Sequence, residues 1–133
     1  MMTKKLILGA MLATAVAATA VPAAIADQAV GTWRLSDGRV TVRISNCGAN
    51  LCGHVVGLSQ PLNREGKPKV DRENPNPALR SRPVMGLQVL FNMRGNGNGT
   101  WTGTIYNADD GGTYSARLKL RDARQMQLKA CLG

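Results

Sequence analysis

The sequence predicts an all-β domain: an antiparallel meander rolled into a barrel, with one long proline-rich connection. Three observations predict it. Apolar residues recur at every second position in several segments, as they do on a strand with one buried face. Asp-Gly and Asn-Gly pairs punctuate those segments, and such pairs suit tight hairpins because they tolerate positive φ. No segment of ten or more residues after residue 26 carries a helical period.

The first 26 residues stand apart from this pattern. Lys4 and Lys5 precede the Ala-rich apolar stretch LILGAMLATAVAATAV, and Ala24-Ile25-Ala26 offers small residues for cleavage before Asp27. That is the layout of a secretory signal peptide. Pro22 and the many alanines suit a membrane anchor poorly. The expectation is cleavage after Ala26, export to the periplasm or envelope, and one domain over residues 27–133. Cleavage would leave 107 of the 133 residues and lower the formal net charge from +9 to +7. A domain this small buries roughly 60–65% of its unfolded surface, so it can hold one modest core.

The strands follow in order. Seven are expected, near 30–35, 39–46, 51–58, 85–93, 100–107, 113–121 and 125–131. In the second, Val40, Val42 and Ile44 alternate with Arg39, Thr41, Arg43 and Ser45. In the fourth, Leu87, Val89, Phe91 and Met93 share a face against Gln88, Leu90 and Asn92. The sixth sets Tyr114, Ala116, Leu118 and Leu120 against Arg117, Lys119 and Arg121, and the seventh sets Met126, Leu128 and Ala130 against Gln125, Gln127 and Lys129. Closing such a meander into a barrel removes its exposed edges. The turn at Asp109-Asp110-Gly111-Gly112 lacks the spaced oxygen ligands of a calcium loop. No metal or cofactor is expected.

Five of the six prolines fall between residues 59 and 84, a connection too long for a hairpin. In Asn76-Pro77-Ala78-Leu79-Arg80 an N-cap and a proline at the first helical position predict one helical turn. The preceding Ser59–Val70 stretch carries no such order signal. Two roles compete for the connection. It could cap the barrel, with Arg80 or Arg82 paired to Asp71 or Glu73. It could instead be a lid, with Leu79 tucked into the mouth and Arg80 and Arg82 meeting an anionic head group.

All three cysteines lie after residue 26. Cys47 and Cys52 flank Gly48-Ala49-Asn50-Leu51, a turn that brings two strands within disulfide reach. The expected bond staples a hairpin. The spacing is not that of a redox pair, and with His54 as the single histidine a metal site is not expected. Cys131 is left over.

Taken together, GTWRLSDG, CGANLCGHVVGL, DRENPNPALRSRPVMGLQVL and WTGTIYNADDGGTYSARLKL resemble an uncharacterised secreted group, domain-of-unknown-function family 2147. The resemblance runs from about residue 30 onward. It implies a lipocalin-like barrel in a bacterial envelope protein. It also implies that Trp33, in Gly31-Thr32-Trp33, plugs the closed end. The family pattern continues past Cys131-Leu132-Gly133 with another cysteine and a last strand, so the resemblance implies either a sequence cut short at Gly133 or a sheet with an open seam and a free Cys131.

Function follows from the two faces. The inner face is apolar, and Trp33, Val42, Val89, Phe91, Trp101, Tyr114 and Leu118 are the expected lining of a cavity for a small apolar or amphipathic, lipid-like ligand. The outer face is basic through Arg39, Arg43, Arg117, Lys119 and Arg121, which suits an anionic envelope surface as the alternative. Nucleic acid is not an expected partner. Base stacking needs aromatic rings on the basic face, and Tyr106 alone alternates outward. Nothing assembles a nucleophile, base and orienting group around His54, so an enzyme is not expected.

Overall fold

The computed structural model describes the backbone of residues 2–8 and the whole of residues 28–131. The predicted cleavage site at Ala26 lies outside the described residues, with residue 1 and the remainder of 9–27. Eight strands follow in chain order: β1 (Met2–Leu8), β2 (Gly31–Leu35), β3 (Val40–Cys47), β4 (Asn50–Leu58), β5 (Gln88–Gly95), β6 (Thr100–Asn107), β7 (Gly112–Asp122) and β8 (Gln125–Cys131). Strands β2 to β8 form the expected seven-strand antiparallel meander, each pairing with the next, and curl into a half-barrel.

β1 was not expected as a strand, because it lies in the segment read as a signal peptide. Its backbone runs antiparallel to β8 from Met2↔Ala130 to Ile7↔Gln125 and to β2 over Leu6↔Leu35, Ile7↔Arg34 and Leu8↔Trp33, which closes the ring. The position is the seam between the first and last strands of the meander. Two edges with unpaired backbone groups face each other there, and a strand is the structure that satisfies both.

The turns obey their sequence signals. Gly38 takes φ 76° and its N–H donates to the Leu35 carbonyl at 2.8 Å. Gly111 takes φ 72°, and a Cβ at that position would collide with the Glu73 carbonyl, so the β6–β7 turn is also a packing surface for the long connection. Cys47 and Cys52 are joined by a disulfide across the β3–β4 hairpin, with Cα atoms 5.8 Å apart. The Cys131 thiol is free among the described residues.

One strand departs from strict alternation. The β4–β5 register shifts on either side of Gly53, and the β5–β6 register shifts between Phe91 and Arg94, where Asn92 has φ 51°. These bulges change the phase of β5. Leu90 pairs with Ile105 and is buried, whereas Phe91 pairs with Thr104 on the opposite face and is half-buried. The prediction that put Phe91 inward and Leu90 outward is therefore corrected. A regular period of two cannot anticipate an inserted residue.

The connection between β4 and β5 is ordered throughout. The side chain of Asn63 accepts hydrogen bonds from the Glu65 and Lys67 N–H groups at 2.8 and 3.0 Å, and bridges at Leu62↔Pro68 and Val70↔Pro83 pin the flanks. The predicted helical turn is a 3-10 turn at Pro77–Leu79, with Asn76 accepting from the Ala78 N–H at 3.0 Å.

The core fills one end of the barrel. Trp33, Ile44, Met93, Leu118 and Met126 are all fully buried there. The Trp33 indole N–H donates to the Ala29 carbonyl at 2.8 Å, which satisfies the polar atom of this plug.

Candidate functional site

The other end of the barrel is hollow. A cavity of about 500 Å³ opens between the β2–β3 turn, the long connection and the β6–β7 turn. Its base is apolar, from Val42, Val55, Val89, Leu90, Ile105 and Leu128. These are mostly β-branched residues of modest reach, so the inner faces of β3 to β6 and β8 do not meet across the ring. Its rim is polar, from Arg39, Gln60, Asn63, Lys69, Arg72 and Asp109 among others.

Of the seven residues expected to line the cavity, Val42, Val89 and Tyr114 do so. Trp33, Trp101 and Leu118 instead pack in the filled half, at 0–4% exposure. Trp33 and Leu118 pair across strands with Val42 and Leu128 of the cavity base, so the filled part of the core begins directly beside the cavity. Phe91 is half-buried against the core and does not line the cavity. The alternation identified the inner face correctly but carried no information about height along the barrel.

The lid residues are also placed differently from expectation. Leu79 is 36% exposed on the outside of the connection and does not line the cavity. The Arg80 Nε donates to the Asn74 carbonyl at 2.7 Å, and the Arg82 Nε donates to the Asp71 Oδ2 at 2.9 Å. Both arginines therefore hold the connection together and neither reaches the cavity. Of the two roles weighed for them, the internal pairing is the one observed.

Asp71 is the centre of that arrangement and is completely buried. Its carboxylate accepts from the Tyr106 hydroxyl at 2.6 Å, from the Asn74 Nδ2 at 2.9 Å and from Arg82. Arg82 also lies over the Tyr106 ring, 5.9 Å from its centroid, within cation–π range. Tyr106 belongs to β6, so this cluster latches the connection to the barrel wall. It also explains why Tyr106, predicted to face outward, is only 8% exposed: the connection folds over it.

The latch has a definite electrostatic state. Burial pushes the Asp71 carboxyl up, but hydrogen bonds from Tyr106, Asn74 and Arg82, with the Arg82 charge, outweigh it and hold the group below its ordinary value. Burial and the adjacent carboxylate push the Tyr106 hydroxyl up to about 12. The pair is thus an ionised acceptor beside a neutral donor.

The sequence offered a faint signal for this cluster and no more. The loop's own residues allow Arg80 or Arg82 to pair with Asp71 or Glu73. The long-range partner, Tyr106, lies 35 residues away and looked like an ordinary outward strand residue. No group of three or more metal-ligating side chains occurs among the described residues.

The profile of a bacterial family described as an uncharacterized protein conserved in bacteria (DUF2147) matches residues 31–133. The chain belongs to domain-of-unknown-function family 2147. The matched residues include the elements that build the plug, the latch and the cavity rim. A solved structure, protein HP1028 from Helicobacter pylori, described as belonging to the lipocalin family, is similar in fold. The TM-score is 0.54 at 21% identity, over 74% of this chain and 73% of that one. A search of curated proteins gave no match. Family 2147 membership and the lipocalin-like neighbour agree with the observed curled meander.

Proposed function

We propose that this member of family 2147 is an exported binding protein that holds a small apolar or amphipathic ligand, such as a single lipid chain, in the hollow end of its barrel. The observation that carries the reading is the cavity of about 500 Å³ with an apolar base beneath an ordered, latched connection. Ligand pockets span about 300–1,000 Å³ and combine apolar walls with a few polar groups. A filled barrel of this strand number would have no such space. The role is binding and not catalysis: the polar groups of the latch are committed to one another, and His54 stands on β4 away from the cavity lining.

The test is native mass spectrometry of the protein purified from its own envelope, followed by organic extraction. A reproducible adduct of lipid size is the expected result. A bare protein mass, with no adduct formed on adding single-chain lipids, contradicts the reading.

A second reading keeps one specific observation. On the outer face, Arg94, Thr102, Arg117 and Lys129 form a row of paired positions across β5 to β8, next to Lys119. Binding of this strip to an anionic envelope surface would weaken steeply with salt, because exposed charges are screened within about 8–10 Å. Capture in the apolar cavity would respond weakly. Vesicles carrying anionic lipid, tested at low and moderate salt, separate the two.

A further inference from the structure

The rim of the cavity is not evenly charged. Arg39, Lys69 and Arg72 supply cations there, and Glu73 and Asp109 supply carboxylates. Arg39 is already engaged, with Asp37 at 3.3 Å and Asp109 at 3.7 Å. Neither Lys69 nor Arg72 has a carboxylate within 4.0 Å among the described residues. The rim thus keeps two unengaged cations against the single carboxylate of Glu73.

Both cations stand on fixed backbone. The Lys69 N–H donates to the Pro61 carbonyl at 3.0 Å, and the Lys69 carbonyl accepts from the Val84 N–H at 3.0 Å. The Arg72 N–H donates to the Val70 carbonyl at 2.8 Å, and its neighbour Asp71 is the buried centre of the latch. Lys69 is half-buried and, like Arg72, lines the cavity. The backbone bonds place both cations at the opening, so an arriving anion costs the ordering of their side chains alone.

We propose that the ligand is an anionic amphipath, a single alkyl chain ending in a carboxylate, with the chain on Val42, Val55, Val89, Leu90 and Leu128 and the head between Lys69 and Arg72. This rests on the cavity-binding reading above and deepens it. The planar guanidinium of Arg72 matches a carboxylate in two parallel hydrogen bonds, and Lys69 adds a point charge. The sequence offered Arg80 and Arg82 for this role as one of two alternatives. The latch consumes both, and the next two cations of the connection take it instead.

Isothermal titration at neutral pH would compare an alkyl carboxylate, the alcohol of the same chain length and the corresponding alkyl trimethylammonium. The carboxylate is expected to bind about tenfold or more tightly than the alcohol, a difference of roughly 1.4 kcal/mol, and the cation weakest of the three. The double variant Lys69→Gln, Arg72→Gln should erase that preference and leave the alcohol's affinity unchanged. Glu73→Gln should widen it. Equal binding of alcohol and carboxylate by the natural protein overturns the head-group assignment while leaving the cavity reading intact, as does a preference that survives the double variant. Failure of all three probes to bind overturns both.

Discussion

At one end of the barrel, Trp33, Ile44, Met93, Leu118 and Met126 are fully buried and fill the space between the strands. At the other, Val42, Val55 and Val89 occupy equivalent inward positions and leave a cavity of about 500 Å³. The strands supply both ends with the same alternation, so alternation does not decide which is hollow. Side-chain size and the nature of the cover decide it. The filled end is closed by an indole whose polar atom is satisfied locally by Ala29. The hollow end is covered by a connection fastened through a buried carboxylate, Asp71, to Tyr106 of β6. One end is sealed by packing, and the other by a polar latch that keeps the cover in place without filling the space beneath it.

The sharpest way to break this contrast is at the plug. Trp33→Ala should cost about 3–5 kcal/mol, the range for removing a large buried aromatic, and chemical denaturation would show it as a large fall in midpoint. The latch comes next. Tyr106→Phe removes a donor from a buried ionised group and should cost roughly 1.5–3 kcal/mol, while hydrogen exchange should rise in residues 69–84 and stay unchanged around Trp33. A uniform rise across the barrel would show that the connection is not fastened separately. Opening the Cys47–Cys52 link with Cys47→Ser should cost about 2 kcal/mol, because a short loop gives little chain-entropy stabilisation. A midpoint unchanged from the natural protein would show that the staple adds nothing.

The latch also predicts a pH profile. The folded-state value of Asp71 is depressed, so its contribution is full above the ordinary carboxylate range, near 3.9. It is lost as pH falls through the lowered value. The folded-state value of Tyr106 is raised, so its contribution is full below the ordinary tyrosine value of about 10. It is lost as pH rises through about 12. Between those limits the latch contributes a constant amount. Tyr106→Phe should flatten most of the alkaline arm. A residue of it belongs to Tyr114, whose hydroxyl is raised by its hydrogen bond to Asp110. An alkaline arm undiminished by the substitution would rule out Tyr106 as its source.

The smallest expected effect on stability is the most informative about binding. Val89→Phe projects a ring into empty space, so it should change stability by less than about 1 kcal/mol, below the roughly 1–3 kcal/mol of overpacking a filled core. Ile44→Phe, at the filled end, should fall in that higher range. If the two substitutions cost the same, the ends are not different in the way described.

The strands and their turns were legible because they rest on local rules. Val40 to Ile44 alternates without interruption, Asp37-Gly38 and Asp110-Gly111 demand tight turns, and Asn76-Pro77 marks the start of a 3-10 turn. Phe91 was misplaced because the register shift beside Gly53 makes Val89 and Leu90 both inward before the irregularity at Asn92 returns Met93 to the core, and nothing in the alternation announces it. Leu118 and Trp101 were assigned to the right face but are covered by packing instead of lining the cavity, and alternation does not say how far the packing extends. Tyr106 and Asp71 escaped notice as a pair because their contact is made by the folding of a long connection over the wall. The strand at Met2–Leu8 was hidden for a different reason: its composition reads as an export signal, and its pairing is set by the edges that β2 and β8 present.

The most direct test of the hollow end is a titration of a fluorescent long-chain carboxylate into the natural protein and into Val89→Phe, with thermal unfolding of both measured alongside. The account predicts saturable one-site binding to the natural protein, loss of that binding in Val89→Phe, and little change in its unfolding temperature. Binding that persists unchanged in Val89→Phe would place the ligand elsewhere, and a large drop in unfolding temperature would mean that the barrel is filled at this end too.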